Sequence, residues 1–183
     1  MCTAHCEHHT RVNALLMDQM VGLRFCQADY ASNLHMAALI GLLDGYARDP
    51  AGGGEPLSDF AKTSLPAALR TRENLFSVLA FDDSLGALPV GLINCVEGFS
   101  TFACKPLVNV HDVVVVTSHR GQRIAQKMLV LVEQIARGRG ACKLTLEVLS
   151  GNLAAATLYR RIGFANYQLD PTMGHAQFMQ KWL

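Results

Sequence analysis

A short loop of this chain carries residue types suited to holding an anion. Residues 113–116 are four consecutive valines, which is typical of a buried strand. Beyond Thr117-Ser118-His119, apolar residues recur three or four positions apart, as in an amphipathic helix. The first N–H groups of a helix lack partners within it and carry partial positive charge. The join therefore predicts a phosphate-binding turn, with an ordinary turn and a solvated arginine as the alternative. It reads Arg120-Gly121-Gln122-Arg123-Ile124-Ala125.

Further residues that could do chemistry follow on the next strand and helix. Residues 143–149 alternate between apolar and polar, which is typical of a strand and places Glu147 on its polar face. Asn152 precedes a helical pattern, and Tyr159 stands seven positions later, ahead of Gly163-Phe164. Together with the loop, this pattern resembles the GNAT superfamily of N-acetyltransferases. The family's loop reads Arg/Gln-x-x-Gly-x-Gly/Ala, and its second half reads Leu-x-Val-x-x-x-Asn and then Tyr-x-x-x-Gly-Phe. The chain matches except at Arg123, where the family has glycine.

The resemblance implies acetyl-CoA as the acyl donor. Family members hold its pyrophosphate with the loop amides and pair its pantetheine arm with the strand before the loop, and the asparagine contacts the same arm. On this chain the implied cofactor-binding residues are Val113, Val114, Val115, Arg120, Gly121, Gln122, Arg123, Ile124, Ala125, Gln126 and Asn152. Two outcomes stay open at Arg123. Its side chain either blocks the close approach of phosphates that glycine allows or adds a charge-assisted bond to one of them.

Acetyl transfer to an amine requires a neutral amine, an acid near the departing sulfur and donors to the developing negative charge. Tyr159 matches the family tyrosine that protonates the thiolate of CoA, with a half-buried structural tyrosine as the alternative. Glu147 matches the base of the branch that acetylates ribosomal-protein N-termini. His111 is a second candidate base, since histidine exchanges protons near neutral pH. Deprotonation through water, with Glu147 only ordering that water, stays open as a third route.

The acceptor is expected beside the glycine-rich loop at 50–56. Asp44, Asp49 and Glu55 are candidates to hold a cationic amine there, with solvated charges at helix ends as the alternative. The predicted activity is transfer of acetyl to a primary amine of a small molecule by direct attack. Two other functions stay open: a non-catalytic module that binds or senses acyl-CoA, and a protein N-terminal acetyltransferase.

Composition narrows the class of protein. A chain of 183 residues, 50% hydrophobic and 17% charged, suits one globular domain. A net charge of +1 without a basic block argues against nucleic acid as a partner. No apolar run has the length of a membrane span, and the N-terminus lacks the apolar region of a signal peptide. A cytoplasmic protein with no membrane partner is expected, and exposed edge strands would permit a homodimer.

The first ten residues are rich in types that bind metals: Cys2, His5, Cys6, His8 and His9. All of them crowd one end of the chain, whereas structural zinc sites usually combine two separated pairs. We therefore expect a mobile leader at 1–10 and no metal site, followed by a single N-acetyltransferase domain at 11–183.

The periodicity along the chain predicts an α/β fold. The resemblance implies a GNAT fold with a mixed, mostly antiparallel sheet of about six to seven strands, splayed at its centre, and about four helices. The expected helices begin after caps at Asp29 or Ser32, at Ser58, after Ala125 and at Ser150 or Asn152, the second being kinked or split by Pro66. The expected strands are 22–27, 75–81, 88–96, 107–116, 143–149, 165–169 and 176–182.

Overall fold

The computed structural model describes residues 22–167, 170, 172 and 176–182. Its sheet has its strands in chain order, with β1 to β4 pairing antiparallel and β5 joining β4 in parallel. The expected α/β fold with a mixed sheet is confirmed, but the described residues form five strands and not six to seven. These are β1 Leu23–Gln27, β2 Leu75–Asp82, β3 Leu88–Ser100, β4 Lys105–Val115 and β5 Leu144–Leu146.

The prediction of two closing strands is wrong for the described residues of that region. Residues 165–167 and 176–182 have no strand conformation, whereas 168 and 169 lie outside the described part, as does the expected leader at 1–10. The described tail leaves Phe178, Met179 and Trp182 exposed, so it lacks the apolar burial that stabilises a strand. As a consequence β5 is the edge of the described sheet, and the splay lies beside that edge and not at the centre.

Within the described residues four α-helices flank the sheet: α1 Asn33–Ala47, α2 Asp59–Arg70, α3 Ile124–Gly138 and α4 Leu153–Arg161. Their starts follow from local sequence. The side chains of Ser32, Ser58 and Asn152 each accept a hydrogen bond from a backbone N–H of the first turn, which satisfies one of the donors that a helix N-terminus leaves open. Pro66 lies inside α2, but the helix continues through it and is not split.

The helices cover opposite faces of the sheet. Leu39 and Leu42 of α1 pack with α2 against the side chains of Leu79 and Leu92. On the other face α3 packs closely on β3. A side-chain carbon added at Gly91 would lie only 2.8 Å from the Met128 methyl group. The two layers fix the C-terminal end of β4 and the N-terminus of α3 at the same end of the molecule.

The described residues contain neither a candidate membrane span nor a candidate metal cluster. None of the described helices is both long and apolar enough to cross a membrane. Within those same ranges, no three histidine, cysteine or acidic side chains are grouped so that they could hold a metal ion.

Candidate active site

A gap between β4 and β5 forms the floor of the candidate site. The two strands pair over Val108–Val110 and Leu144–Leu146, after which β4 continues to Val115 while β5 has ended. On its other side β4 stays paired with β3 up to Val115 and Gly91. The two strands therefore part beside the segment that the family resemblance assigns to the pantetheine arm.

The hydrogen-bond alternation of β4 decides which of its backbone groups face this gap. The Val116 N–H donates to the Val90 carbonyl at 3.0 Å, and groups of an antiparallel ladder alternate between facing the partner strand and facing away. Val114 therefore directs its N–H and C=O at β3, whereas Val113 and Val115 direct theirs into the gap. Of the three expected valines, two offer backbone hydrogen bonds to a ligand.

His111 lies at a β-bulge in β4. Asn94 pairs with Asp112 and Cys95 pairs with Val110, so His111 is the extra residue between them. A bulge re-aims the side chain that it carries, and the imidazole of His111 is exposed and lines the groove described below. The sequence named His111 as a candidate but gave no sign of the bulge.

The turn that the sequence predicts to bind phosphate ends at a left-handed residue, Arg123. Arg123 has φ 59° and ψ 18° and precedes α3, whose first-turn residues, all described, include no acid. The Lys127 N–H donates to the Arg123 carbonyl at 3.0 Å, and the N–H groups of residues 124–126 precede that first bond of the helix. Three backbone donors and the positive end of the helix dipole thus face the groove that Arg120 and Arg123 also line, an arrangement that favours a bound anion.

A buried histidine anchors the turn. The ring of His119 lies 3.2 Å from Asp82 Oδ2 through Nε2 and 2.9 Å from Ser118 Oγ through Nδ1. Asp82 also accepts hydrogen bonds from the backbone and hydroxyl of Ser84, and these bonds, with the His119 contact, hold the pKa of its carboxyl below the ordinary value. The contact between His119 and Asp82 fastens the turn to the β2–β3 connection. Sequence reasoning identified neither residue as part of the site.

Arg120 connects the turn to the opposite side of the groove. Its Nε donates to the Val115 carbonyl at 3.1 Å, and its Nη2 lies 3.3 Å from Asp49 Oδ2. Asp49 in turn accepts a hydrogen bond from the Ala51 N–H at 2.9 Å and so caps the short 3-10 turn Pro50–Gly52. The Ala51 N–H and, after it, Arg120 lower the pKa of the Asp49 carboxyl, which stays ionised at neutral pH.

Tyr159 lies on α4 with its ring almost buried and in edge contact with Phe164, at 5.9 Å between centroids. Burial and, to a smaller extent, the neighbouring Tyr46 raise the pKa of Tyr159 to about 12. Tyr46 of α1 lines the same groove, and its hydroxyl donates to the Ala51 carbonyl at 3.3 Å. Sequence reasoning placed Tyr46 only in the apolar stripe of its helix, because the period of a helix does not show what lies across a gap.

Glu147 follows β5 directly and is exposed. Its two carboxylate oxygens accept from Asn109 Nδ2 at 3.1 and 3.2 Å, and the same amide lies 3.3 Å from Thr145 Oγ1. Asn109, which the sequence did not single out, therefore holds the carboxylate beside the gap.

The groove that unites these groups has a volume of about 1180 Å³. It brings together most of the residues that the sequence nominated: His111, Val113, Val114, Val115, Arg120, Gly121, Arg123, Ile124, Ala125, Gln126, Glu147, Asn152, Tyr159 and Asp49. Three nominated residues are not among its lining residues: Gln122, Asp44 and Glu55.

Asp44, one of the expected acceptor-binding residues, lies in a network between α1 and α2. Its Oδ1 lies 3.0 Å from Lys62 Nζ and accepts from the Leu57 N–H at 2.9 Å, and its Oδ2 accepts from Arg48. Lys62, with Arg48 and the Leu57 N–H, lowers the pKa of this carboxyl. The network fastens α1 to α2, so Asp44 belongs to the scaffold that carries Asp49.

Comparisons with known proteins agree with this geometry. The model of the acetyltransferase (GNAT) family matches residues 41–164. A streptothricin acetyltransferase of Streptomyces lavendulae is 34% identical over 94 residues, which are 50% of this chain and 50% of that protein. The chain thus spans about half the length of this curated relative.

Solved structures show the same fold at low identity. A probable acetyltransferase matches with a TM-score of 0.73 and 22% identity, covering 87% of this chain and 98% of its own. The aminoglycoside N-acetyltransferase AAC(6')-Iy in complex with CoA matches with a TM-score of 0.65 and 17% identity, covering 87% of this chain and 94% of its own.

Proposed function

Because this chain belongs to the acetyltransferase (GNAT) family, we propose that it transfers acetyl from acetyl-CoA to a primary amine of a small molecule. One observation carries the proposal: the open edge of β4 leads directly to a helix N-terminus that concentrates positive charge. Val113 and Val115 offer peptide hydrogen bonds, and the first turn of α3 offers N–H donors beside Arg120 and Arg123.

The chain's residues fit acetyl-CoA. The cofactor combines an amide-bearing arm with a diphosphate, and the groove presents a peptide edge and an anion site next to each other. A cation at a helix N-terminus opposes the helix dipole, and the described first turn of α3 supplies no acid to balance Arg123. A bound phosphate would remove that conflict. When bound, the cofactor supplies the acetyl group as an activated thioester.

Tyr159 acts as the hydrogen-bond donor to the departing sulfur. With a pKa of about 12 its hydroxyl keeps its proton throughout the physiological range. Thiols ordinarily ionise at about 8.5, so the phenol stabilises negative charge on sulfur by hydrogen bonding and does not lose its proton completely. The sulfur of CoA can then take up the proton that the attacking amine releases. The products are therefore the acetylated amine and the CoA thiol, and no proton is left over.

Glu147 and His111 are the two candidates to take that proton. Glu147 is held beside the gap by Asn109, and His111 is aimed into the groove by the bulge in β4. Glu147 acting through an ordered water is equally compatible with its exposure.

Asp49 is the carboxylate best placed to attract a cationic acceptor, because it lines the groove whereas Asp44 and Glu55 do not. A small-molecule acceptor is supported by the similarity to a streptothricin acetyltransferase and by the shared fold of an aminoglycoside acetyltransferase. Both kinds of relative are named for polycationic small molecules.

The proposal is tested by following release of the CoA thiol from acetyl-CoA with a panel of acceptors. The panel contains a streptothricin, an aminoglycoside, a linear polyamine and peptides with free N-termini. Turnover with a cationic small molecule, and not with peptides, is the expected result. Turnover with peptides alone would replace it by N-terminal acetylation, and tight acetyl-CoA binding without turnover would favour a non-catalytic acyl-CoA-binding module.

A further inference from the structure

Arg120 makes two contacts that a bound cofactor would disturb. Its Nε occupies the Val115 carbonyl at 3.1 Å, and its Nη2 pairs with Asp49 Oδ2 at 3.3 Å. Asp49 is 71 positions away in sequence and belongs to the loop after α1, on the side proposed for the acceptor. One guanidinium therefore joins the proposed cofactor turn to the proposed acceptor loop.

The Val115 carbonyl is an acceptor that Arg120 would share with a ligand on this edge of β4. It faces the gap because its neighbours Val114 and Val116 direct their groups at β3. A carbonyl oxygen has two lone pairs, so a ligand amide that pairs with this edge of β4 would share this acceptor with Nε of Arg120. Arg120 also lies three residues before the turn's last residue and lines the same groove as the N-terminus of α3.

The pair with Asp49 is weak enough to exchange. The side chains of Arg120 and Asp49 are 57% and 32% exposed, and ion pairs of this kind contribute little because water competes for both partners. A diphosphate carries more charge than one carboxylate and accepts paired hydrogen bonds from a guanidinium. Exchange of Asp49 for phosphate is therefore favourable whenever the cofactor enters the groove.

We propose that Arg120 couples the two substrate sites: it holds Asp49 when the cofactor is absent and releases Asp49 when it binds the cofactor's diphosphate. This inference rests on the proposed function. After the exchange, Asp49 Oδ2 faces the groove as a carboxylate for a cationic acceptor. The acceptor site is thus completed by the cofactor, so the acceptor binds second.

Release also changes the loop that Asp49 begins. Its turn keeps the bonds from Ala51 N–H to Asp49 Oδ1 and from Gly52 N–H to the Asp49 carbonyl, at 2.9 and 2.7 Å. The loop loses the link that Arg120 makes between Asp49 and β4. Amides at 51–54 should therefore exchange hydrogen faster in the cofactor complex than in the free protein.

The test is a double-mutant cycle on CoA binding, measured by calorimetry with CoA alone. Asp49→Asn removes the carboxylate that competes with the diphosphate for Arg120. CoA should therefore bind about two- to fivefold more tightly, a factor that corresponds to the free energy of an exposed ion pair. In the Arg120→Gln background the same substitution should change nothing. Asp59→Asn in α2 is the matched control, because it removes one exposed negative charge that makes no ion pair within the described residues.

The outcomes separate this inference from the proposed function. If CoA fails to bind the unaltered protein, the proposed function falls and the inference with it. If CoA binds, an equal gain from Asp49→Asn in both backgrounds, or the same gain from Asp59→Asn, would show only a general charge effect and overturn the coupling. Unchanged hydrogen exchange at 51–54 on adding CoA, followed by mass spectrometry, would overturn it independently.

Discussion

The backbone conformation of Arg123 predicts a measurable difference in stability between its glycine and alanine variants. It has φ 59°, a left-handed conformation that costs a residue with a side chain about 1–2 kcal/mol and glycine nothing. Glycine loses about 0.5–1 kcal/mol through the greater freedom of its unfolded chain. With both costs at the middle of their ranges, Arg123→Gly is more stable than Arg123→Ala by about 0.75 kcal/mol. Both variants remove the same charge and the same exposed side chain, so their comparison isolates the backbone.

Urea unfolding of the two variants, with equal slopes, measures this difference. At a slope of about 2 kcal/mol per molar urea, the midpoint of Arg123→Gly should lie ~0.3–0.5 M above that of Arg123→Ala. An alanine variant at least as stable as the glycine variant would refute the assignment of strain at this residue.

The same pair of variants separates the two roles left open for the Arg123 side chain. If the guanidinium contributes to phosphate binding, both variants bind CoA several-fold more weakly, because each loses a charge-assisted bond. We expect this result, since the described first turn of α3 has no acid to balance the arginine. Tighter binding by the glycine variant alone would show that the side chain obstructs the phosphates.

The remaining predictions concern catalysis, the last helix and alkaline pH. Tyr159→Phe should lower kcat by ~100-fold or more with little change in acetyl-CoA affinity, and an unchanged kcat would remove Tyr159 from the mechanism. Glu147→Gln and His111→Ala should be compared across pH, and if neither alters the acidic limb of the rate profile, water-mediated deprotonation is the better account. Asn152→Ala should lower the free energy of unfolding by about 1 kcal/mol, because the Ala155 N–H loses its cap; Asn152→Ser, which can still cap, is the control in the same urea assay. Burial raises the pKa of the Cys95 thiol from 9.0 to about 12, so the unfolded chain ionises first and stability falls by up to about 1.4 kcal/mol per pH unit above pH 9. Cys95→Ala should flatten that slope, and an unaltered slope would contradict the buried thiol's role.

The parts of the fold that sequence could predict are those with local causes. Ser32, Ser58 and Asn152 stand directly before the helical periodicities, and each caps its helix in the structure. The run of valines and the change of apolar period after it located β4, the turn and α3. The periods of strands and helices can be recognised from residues that are close together in the sequence.

The parts that sequence missed depend on residues brought together from a distance. Arg120 pairs with Asp49 across 71 positions, and Glu147 is held by Asn109 across 38. No periodicity links such pairs. Asp44 shows the converse: its acidic character fitted an acceptor site, but its pairing with Lys62 in the next helix fixes it in the scaffold.

The residue pattern predicts closing strands at 165–169 and 176–182. The described residues there form none, and Trp182 is exposed. Alternating apolar residues form a strand only when the backbone can pair with a neighbouring strand and the apolar side chains can be buried.

Calorimetric titration of the unaltered protein with acetyl-CoA tests the central claim most directly. We expect one site with micromolar affinity, and affinity that falls as salt is raised, because the α3 N-terminus and its arginines bind a charged diphosphate. Absence of binding, or binding indifferent to salt, would contradict the placement of the cofactor in the groove between β4 and β5.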